Sequence, residues 1–483
     1  MVSTLSTINL LPHQEQCVLH MINCEDRYNS VINFSTMGTG KTIETIKLML
    51  DRPKRNNLIV CPRNIINQWQ KELNKFTPFT THIYDRKSTM YQLQNNNIVI
   101  ATYEMLYHRG KTDLKSILHN IQYDRVIFDE CHMIKNRYTK RHKSSTLLNS
   151  KNFILLTGTP ISCSINQNQE FKSYCDILNV TSQVFKQLYI RKTMQDVDNL
   201  PTITYHNISI ILSTQHLNIL EQLGYNIRCK EDNFDWFEHI EEKFNDLGLQ
   251  ELYNQLIQQN NGLVKFNRKK YLLSNPNMLL NYFNKNLGSN IMNYEKINQF
   301  NHEHIEKLNT IHSIVKKNHR YIIVTNYVNE NQIIYEQLKK RKFYVKQING
   351  SVKQDIRDDI IKSSQFSKAD IILGLGKKYI THDIIDTIYN THLRTDIIIG
   401  SCKCLSTGLN LQHFNNLIIC TPPSLINYAQ VQARIVRIGS KYKNVNIYNL
   451  YYKDTIEEKT YCQHLEKIKK YETLDDMIKN YSK

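Results

Sequence analysis

Glycine and proline are scarce in this chain, 14 and 9 residues in 483, and no tandem repeat or long low-complexity tail interrupts it. No apolar run approaches the roughly 20 residues needed to span a bilayer. Met1 to Leu11 also lacks the charged start and continuous apolar stretch of a signal peptide. The expectation is therefore a soluble, intracellular protein without a membrane partner. The 11 cysteines are odd in number and scattered, with no C-x-x-C pair, which argues against a disulfide framework or a zinc ribbon. Cys402-Lys-Cys404 lies beside strand material and reads as structural. Acidic residues are in deficit: 44 Asp and Glu stand against 62 Lys and Arg, a net charge of +18. An excess of that size points to a polyanionic partner, and charge alone does not separate DNA, RNA and a membrane surface.

What is present is ordinary globular material, 41% hydrophobic and 10% aromatic, so a core can be buried. At roughly 150 residues per domain the length allows about three units. Short β-branched runs punctuate the first half at Ser30–Phe34, Leu58–Cys61, Ile98–Thr102, Val126–Phe128 and Phe153–Thr157, with helix-compatible segments such as Thr42–Leu50 and Ile66–Phe76 between them. A second set follows at Tyr321–Val324, Val345–Ile348, Ile397–Ser401, Leu417–Cys420 and Val445–Leu450. Alternation of this kind predicts parallel sheets covered by helices, hence two α/β lobes. The Gln-, Asn- and Lys-rich stretch between them has helical spacing. The expected division is a first lobe over 1–212, a helical insertion over 213–310, and a second lobe with a C-terminal helix over 311–483. Residues 367–395 read as a smaller insertion in the second lobe.

Ser35-Thr36-Met37-Gly38-Thr39-Gly40-Lys41-Thr42 follows an apolar strand and opens a helix. Two glycines let backbone N–H groups face a phosphate, and the helix N-terminus adds partial positive charge. Lys41 would reach the β and γ phosphates, and the Thr42 hydroxyl would ligate Mg²⁺. Ser35 stands where the phosphate-loop pattern has its first glycine. Farther on, the strand Arg125–Phe128 delivers Asp129-Glu130-Cys131-His132 at its C-terminal end, where open α/β sheets place ligands. Asp129 would hold Mg²⁺ through its shell, and Glu130 would orient and deprotonate an attacking water.

D-E-x-H behind a phosphate loop resembles superfamily 2 helicases and translocases, and the surrounding segments resemble the SNF2-type branch. Leu11-Pro-His-Gln14 is similar to that branch's Q motif, whose glutamine reads adenine. Leu58–Pro62 with Asn67-Gln-Trp69-Gln-Lys-Glu72 resembles motif Ia, and Ile98–Glu104 resembles motif Ib. Asp129–Asn136 resembles the extended motif II, and Leu155-Leu-Thr-Gly-Thr-Pro-Ile161 resembles motif III. Later, Arg191–Val197, Asn349-Gly-Ser351 with Arg357, Ser406–Leu411 (motif V), Gln430–Gly439 (motif VI) and Asp454-Thr-Ile-Glu-Glu-Lys459 follow in the family's order. The resemblance spans nearly the whole chain. It implies two RecA-like parallel-sheet lobes with a helical insertion, an ATP and Mg²⁺ site, and a nucleic-acid partner, double-stranded DNA for this branch. It also implies a monomeric motor, with the insertion available to a protein partner. With few residues before the Q motif, the chain is similar to compact, bare motors encoded by large DNA viruses, so a nucleus or a viral replication compartment is the expected location.

Motif VI supplies Arg434 and Arg437, three apart on a helix-compatible stretch, so both guanidinium groups are expected on one face. An arginine brought across a cleft stabilises the charge spread over a transferring phosphoryl group. The sequence departs from the family at Leu405-Ser406, at Pro422-Pro423-Ser424 and at Val436, on the nucleic-acid side more than at the phosphate site. Lys135, Arg137, Lys140, Arg141, Lys143, Arg191 and Lys192 are candidates for a phosphate-backbone track. Trp69 and Tyr103 either stack on bases or pack on the sheet. Three readings follow: a SNF2-type ATP-dependent translocase on duplex DNA, a D-E-x-H helicase on RNA or RNA–DNA hybrids, and a non-hydrolysing nucleic-acid scaffold.

Overall fold

In the computed structural model, the described residues are 7–108, 114–161, 167–214, 305–365, 394–405, 409–437 and 439–481. The expected insertion over 213–310 lies almost wholly outside them, as do all but the last two residues of 367–395. The chain divides into two compact units, Met1–Leu200 with Arg437–Gly439 and Glu466–Lys483, and Pro201–Val436 with Ser440–Leu465.

The first unit is built on β1 (Ser30–Asn33), β2 (Asn57–Cys61), β3 (Thr81–Ile83), β4 (Ile98–Thr102), β6 (Arg125–Asp129), β8 (Phe153–Leu156) and β9 (Tyr189–Ile190), which form one sheet in the order β3-β4-β2-β6-β8-β1-β9. A separate pair, β5 (Gln122–Tyr123) and β7 (Asn149–Ser150), lies apart from it. Every pairing in the large sheet is parallel. A parallel sheet is covered by its crossover helices on both faces, so its strands read as continuous apolar runs. Leu58–Cys61, Ile98–Ala101 and Val126–Phe128 are accordingly buried along their whole length.

Arg125 opens β6 inside this core. Its Nε and Nη2 donate to Glu25 Oε1 and Oε2 at 2.7 and 2.6 Å, and Nη2 also donates to the Arg52 carbonyl at 3.0 Å. The fork ties the helix Pro12–Tyr28 to the strand that ends in Asp129. The segment from Glu466 onward completes the unit: Leu474, Ile478 and Tyr481 are buried in its core, and the Tyr481 ring lies 5.3 Å from Phe171 and 6.0 Å from Phe185.

In the second unit, β10 (Thr202–Ile210), β11 (Tyr321–Thr325), β12 (Val345–Ile348), β13 (Ile397–Ser401), β14 (Asn416–Ile419) and β15 (Asn444–Tyr452) make another all-parallel sheet, ordered β10-β15-β14-β11-β13-β12. Two parallel-sheet lobes are thus present, each with the alternating pattern expected from the sequence. Their limits differ from the expected ones. A boundary at 212 puts β10 in the first lobe, yet the strand pairs with β15 in register from Thr202 with Asn444 to Ile210 with Tyr452. The C-terminal residues from Glu466 onward fall in the first unit, not the second, because their apolar side chains fill its core.

Candidate functional site

The loop between β1 and the helix Lys41–Asp51 takes its shape from two glycines at positive φ, Gly38 at 90° and Gly40 at 105°. A Cβ on Gly40 would sit 2.1 Å from Gln14 Nε2, so a side chain there would displace the glutamine as well as strain the positive-φ backbone. Gln14 packs there because its Nε2 donates to the Thr39 carbonyl at 3.0 Å, while its Oε1 accepts from the Leu11 N–H at 3.0 Å. The Q-motif glutamine therefore touches the phosphate loop directly. His13 Nε2 reaches the same Thr39 carbonyl at 2.9 Å.

Ser35, the residue in place of glycine, is fully buried and used. Its Oγ accepts from the Lys192 N–H at 3.0 Å, and its own N–H donates to Asn33 Oδ1 at 3.0 Å. The Thr36 N–H donates to the Lys192 carbonyl at 2.7 Å, and the Phe34 N–H to the Ile190 carbonyl at 2.9 Å. Strand β9 and its exit thus brace the loop, an arrangement that a glycine lacking a hydroxyl would weaken. Lys41 Nζ donates to the Ser35 and Thr36 carbonyls at 2.7 and 3.0 Å. Burial lowers the Lys41 pKa, and the Glu130 and Asp129 carboxylates oppose that shift. Thr42 stands in the first turn of the helix.

Asp129 ends β6, held at three atoms. Oδ1 accepts from the Glu130 N–H at 2.9 Å, Oδ2 from the Trp69 indole N–H at 2.7 Å, and the main-chain carbonyl from the Tyr103 hydroxyl at 2.8 Å. Trp69 and Tyr103 are both buried, so of the two roles open in the sequence they take the packing one, with a polar contact added. Burial and the adjacent Glu130 push the Asp129 pKa up to about 6, against the Trp69 bond and Lys41.

Glu130 adopts a left-handed backbone, φ 54° and ψ 49°, uncommon for a residue with a Cβ and a frequent mark of functional sites. That turn swings its carboxylate toward motif III. Oε2 accepts from the Thr157 hydroxyl at 3.1 Å and stands 3.1 Å from His132 Nδ1, which in turn lies 3.1 Å from Thr157 Oγ1 and 3.4 Å from Thr159 Oγ1. Burial raises the Glu130 pKa, but His132, Lys41 and Thr157 outweigh it and the net shift is downward, favouring the carboxylate. Motif III closes on the loop from the other side, since a Cβ on Gly158 would meet Met37 Cγ at 2.6 Å.

The first unit thus gathers Gln14, residues 35–42, Asp129 and Glu130 at the C-terminal ends of β1 and β6. His132, Thr157 and Thr159 join them without having been singled out as site residues, although the D-E-x-H and T-G-T spacings carried the signal. Arg434 and Arg437 depart from expectation. The helix Leu425–Ile435 ends before Arg437, and Val436 is extended at φ −84° and ψ 92°, so the two arginines do not share a helix face. Ser424, in the Pro-Pro-Ser departure, accepts from the Asn427 N–H and caps that helix. Of motif V, Leu409 and Leu411 are buried, and residues 406–408 lie outside the described residues.

Several candidates for a backbone track are engaged by acids instead. Lys135 pairs with Glu170 at 3.4 Å, Arg137 with Asp176 at 3.1 Å, Arg141 with Glu104 at 2.7 Å and Arg191 with Asp475 at 2.9 Å. Lys140 and Lys143 are exposed. Arg357 braces the Asn349–Val352 turn, donating to the carbonyls of Val352 and Asn349 at 2.9 and 2.8 Å.

The chain is similar to the DNA excision repair protein ERCC-6-like of Mus musculus, 23% identical over 516 residues covering 94% of this chain and 40% of that protein. It is also similar to the ATP-dependent helicase rhp16 of Schizosaccharomyces pombe, 31% identical over 179 residues, 33% of this chain and 21% of that one. The chain thus spans less than half the length of either relative. Among solved structures, the Sulfolobus solfataricus SWI2/SNF2 ATPase core in complex with dsDNA aligns over 98% of this chain and 94% of that one, at 20% identity and a TM-score of 0.39. The family model of the SNF2-related domain matches residues 13–256, half of the chain, and to that family the chain belongs.

Proposed function

We propose that this protein is an ATP-dependent translocase that couples ATP hydrolysis to movement along double-stranded DNA. The observation that carries the reading is the Glu130 carboxylate, fixed by Thr157 and His132 beside a phosphate loop whose lysine is Lys41. The loop fits a nucleotide. Thr36 Oγ1 is buried there without a hydrogen-bond partner, and Lys41 spends its N–H groups on two main-chain carbonyls that phosphate oxygens would replace.

Residues 35–41 would hold the phosphates, Gln14 the adenine by resemblance, and Thr42 with Asp129 the Mg²⁺ ion. The bound metal would supply charge neutralisation at the β and γ oxygens. Glu130, kept ionised by its neighbours, orients a water and accepts its proton. His132 fixes the carboxylate: the Thr157 hydroxyl is donated to Glu130, so the imidazole carries its proton on Nδ1. Arg434 and Arg437 are proposed, by resemblance to motif VI, to stabilise the transferring phosphoryl group. The excess of 18 positive charges suits a backbone-tracking enzyme whose DNA affinity falls steeply with salt.

The test is ATP hydrolysis measured with duplex DNA, single-stranded DNA and RNA, together with triplex displacement. Duplex DNA should stimulate most and K41A should abolish turnover. Equal stimulation by RNA would overturn the duplex assignment, and unchanged hydrolysis in K41A would overturn the nucleotide site.

A further inference from the structure

The proposed metal carboxylate has a donor that the reaction itself does not use. Trp69 Nε1 donates to Asp129 Oδ2 at 2.7 Å, and the indole is almost wholly inaccessible, at 1% exposure. It lies on the helix Ile66–Phe76, sixty residues away in sequence, so nothing in the local turn after β6 requires the contact. The other oxygen, Oδ1, is occupied by the Glu130 N–H, and the Tyr103 hydroxyl holds the carbonyl. Each carboxylate oxygen therefore accepts one fixed hydrogen bond, which sets the plane of the group about Cβ–Cγ and leaves its remaining lone pairs in defined directions.

From this geometry we propose that Trp69 is the positioning residue for the Asp129 carboxylate, orienting it toward Mg²⁺. The proposal rests on the nucleotide-site reading above. Mg²⁺ demands near-octahedral geometry and is commonly held through few carboxylates, so a carboxylate free to rotate would bind it less well. Outer groups that hydrogen-bond a metal carboxylate typically change metal affinity by about 10- to 100-fold when removed. A charge-assisted bond in a buried site belongs among the stronger of these. Packing alone does not account for the contact, because a phenylalanine would fill an apolar pocket without a donor.

The chain has two tryptophans, Trp69 and Trp236, which permits a direct readout. In full-length W236F protein, Trp69 is the remaining indole. Titrating Mg²⁺ in the presence of saturating ADP should shift its emission, whereas ADP with EDTA should not. In W69F, ADP affinity without metal should match that of the parent, while the Mg²⁺ concentration giving half-maximal tightening of ADP binding, measured by calorimetry, should rise about tenfold. An unaltered Mg²⁺ midpoint in folded W69F would overturn the proposal. Should W69F not fold, the emission titration decides alone: Mg²⁺-dependent ADP binding without any change in Trp69 emission would also overturn it. Absence of ADP binding in the W236F protein, by contrast, would count against the nucleotide-site reading on which the proposal stands.

Discussion

His132 Nδ1 lies 3.1 Å from Glu130 Oε2, and the Thr157 hydroxyl is 3.1 Å from both. This triangle joins the end of β6 to the end of β8, so the orientation of the carboxylate depends on a residue two positions along and on the neighbouring strand. H132A should lower kcat for ATP by about tenfold or more, part of the 10²–10⁴ that a positioned base supplies. ADP affinity should stay unchanged, because His132 does not touch the phosphate loop. Steady-state kinetics with a parallel binding titration measure both.

Removing one partner of the Arg125–Glu25 pair should be costly. Both side chains are buried, so R125M leaves the Glu25 carboxylate with only Lys54, 3.6 Å away, and is expected to destabilise the first unit by about 3 kcal/mol, the low end for a broken buried pair. The double variant E25M/R125M should recover much of the loss, since well-packed apolar replacements of a buried pair are often neutral. Denaturant unfolding of the three proteins gives the comparison.

Residues 474–481 contribute to the stability of the first unit. Y481A removes a ring packed on Phe171 and Phe185 and should cost about 3 kcal/mol. Truncation before Leu474 should cost more, as Leu474 and Ile478 are lost with it. Thermal melts would show the order.

His413 in the second unit should make stability pH-dependent. Ser364 Oγ donates to the Ile361 carbonyl, so it accepts from His413 Nε2–H at 2.7 Å, leaving Nδ1 buried and unpaired. Burial, with Arg320 and Lys441 nearby, lowers the pKa to about 4 from 6.5. Between those values the unfolded chain binds more protons than the folded one, so stability falls as pH drops through that window, by about 3 kcal/mol in all. H413Q should lose this component, seen as a shallower dependence of the urea midpoint on pH than in the parent.

The strands were legible because buried parallel strands write themselves as apolar runs, and the phosphate loop because Gly38 and Gly40 meet a backbone requirement. Which sheet a strand joins was not legible. β10 has ordinary β-branched residues, and nothing local announces that its partner is β15. Likewise, Trp69 reads as a core residue by type, and its bond to Asp129 becomes visible only when the helix Ile66–Phe76 is placed over the sheet. The helix end before Arg437 carries no proline, and the glycine that follows is two residues later, at Gly439. Periodicity therefore ran on past the true boundary.

The pairing of β10 with β15 has a consequence for synthesis. Asn207 and Asn449, side by side in the sheet with a 2.9 Å hydrogen bond, are separated by 242 residues of chain. At roughly 5–20 residues per second a ribosome needs about 12–50 s to cover that distance. For all of that interval β10 has emerged with its backbone donors and acceptors unmatched, and the first unit still lacks Leu474 and Tyr481. Neither unit can reach its final form until residues 444–481 have emerged from the ribosome, so the two units are completed together and not one after the other.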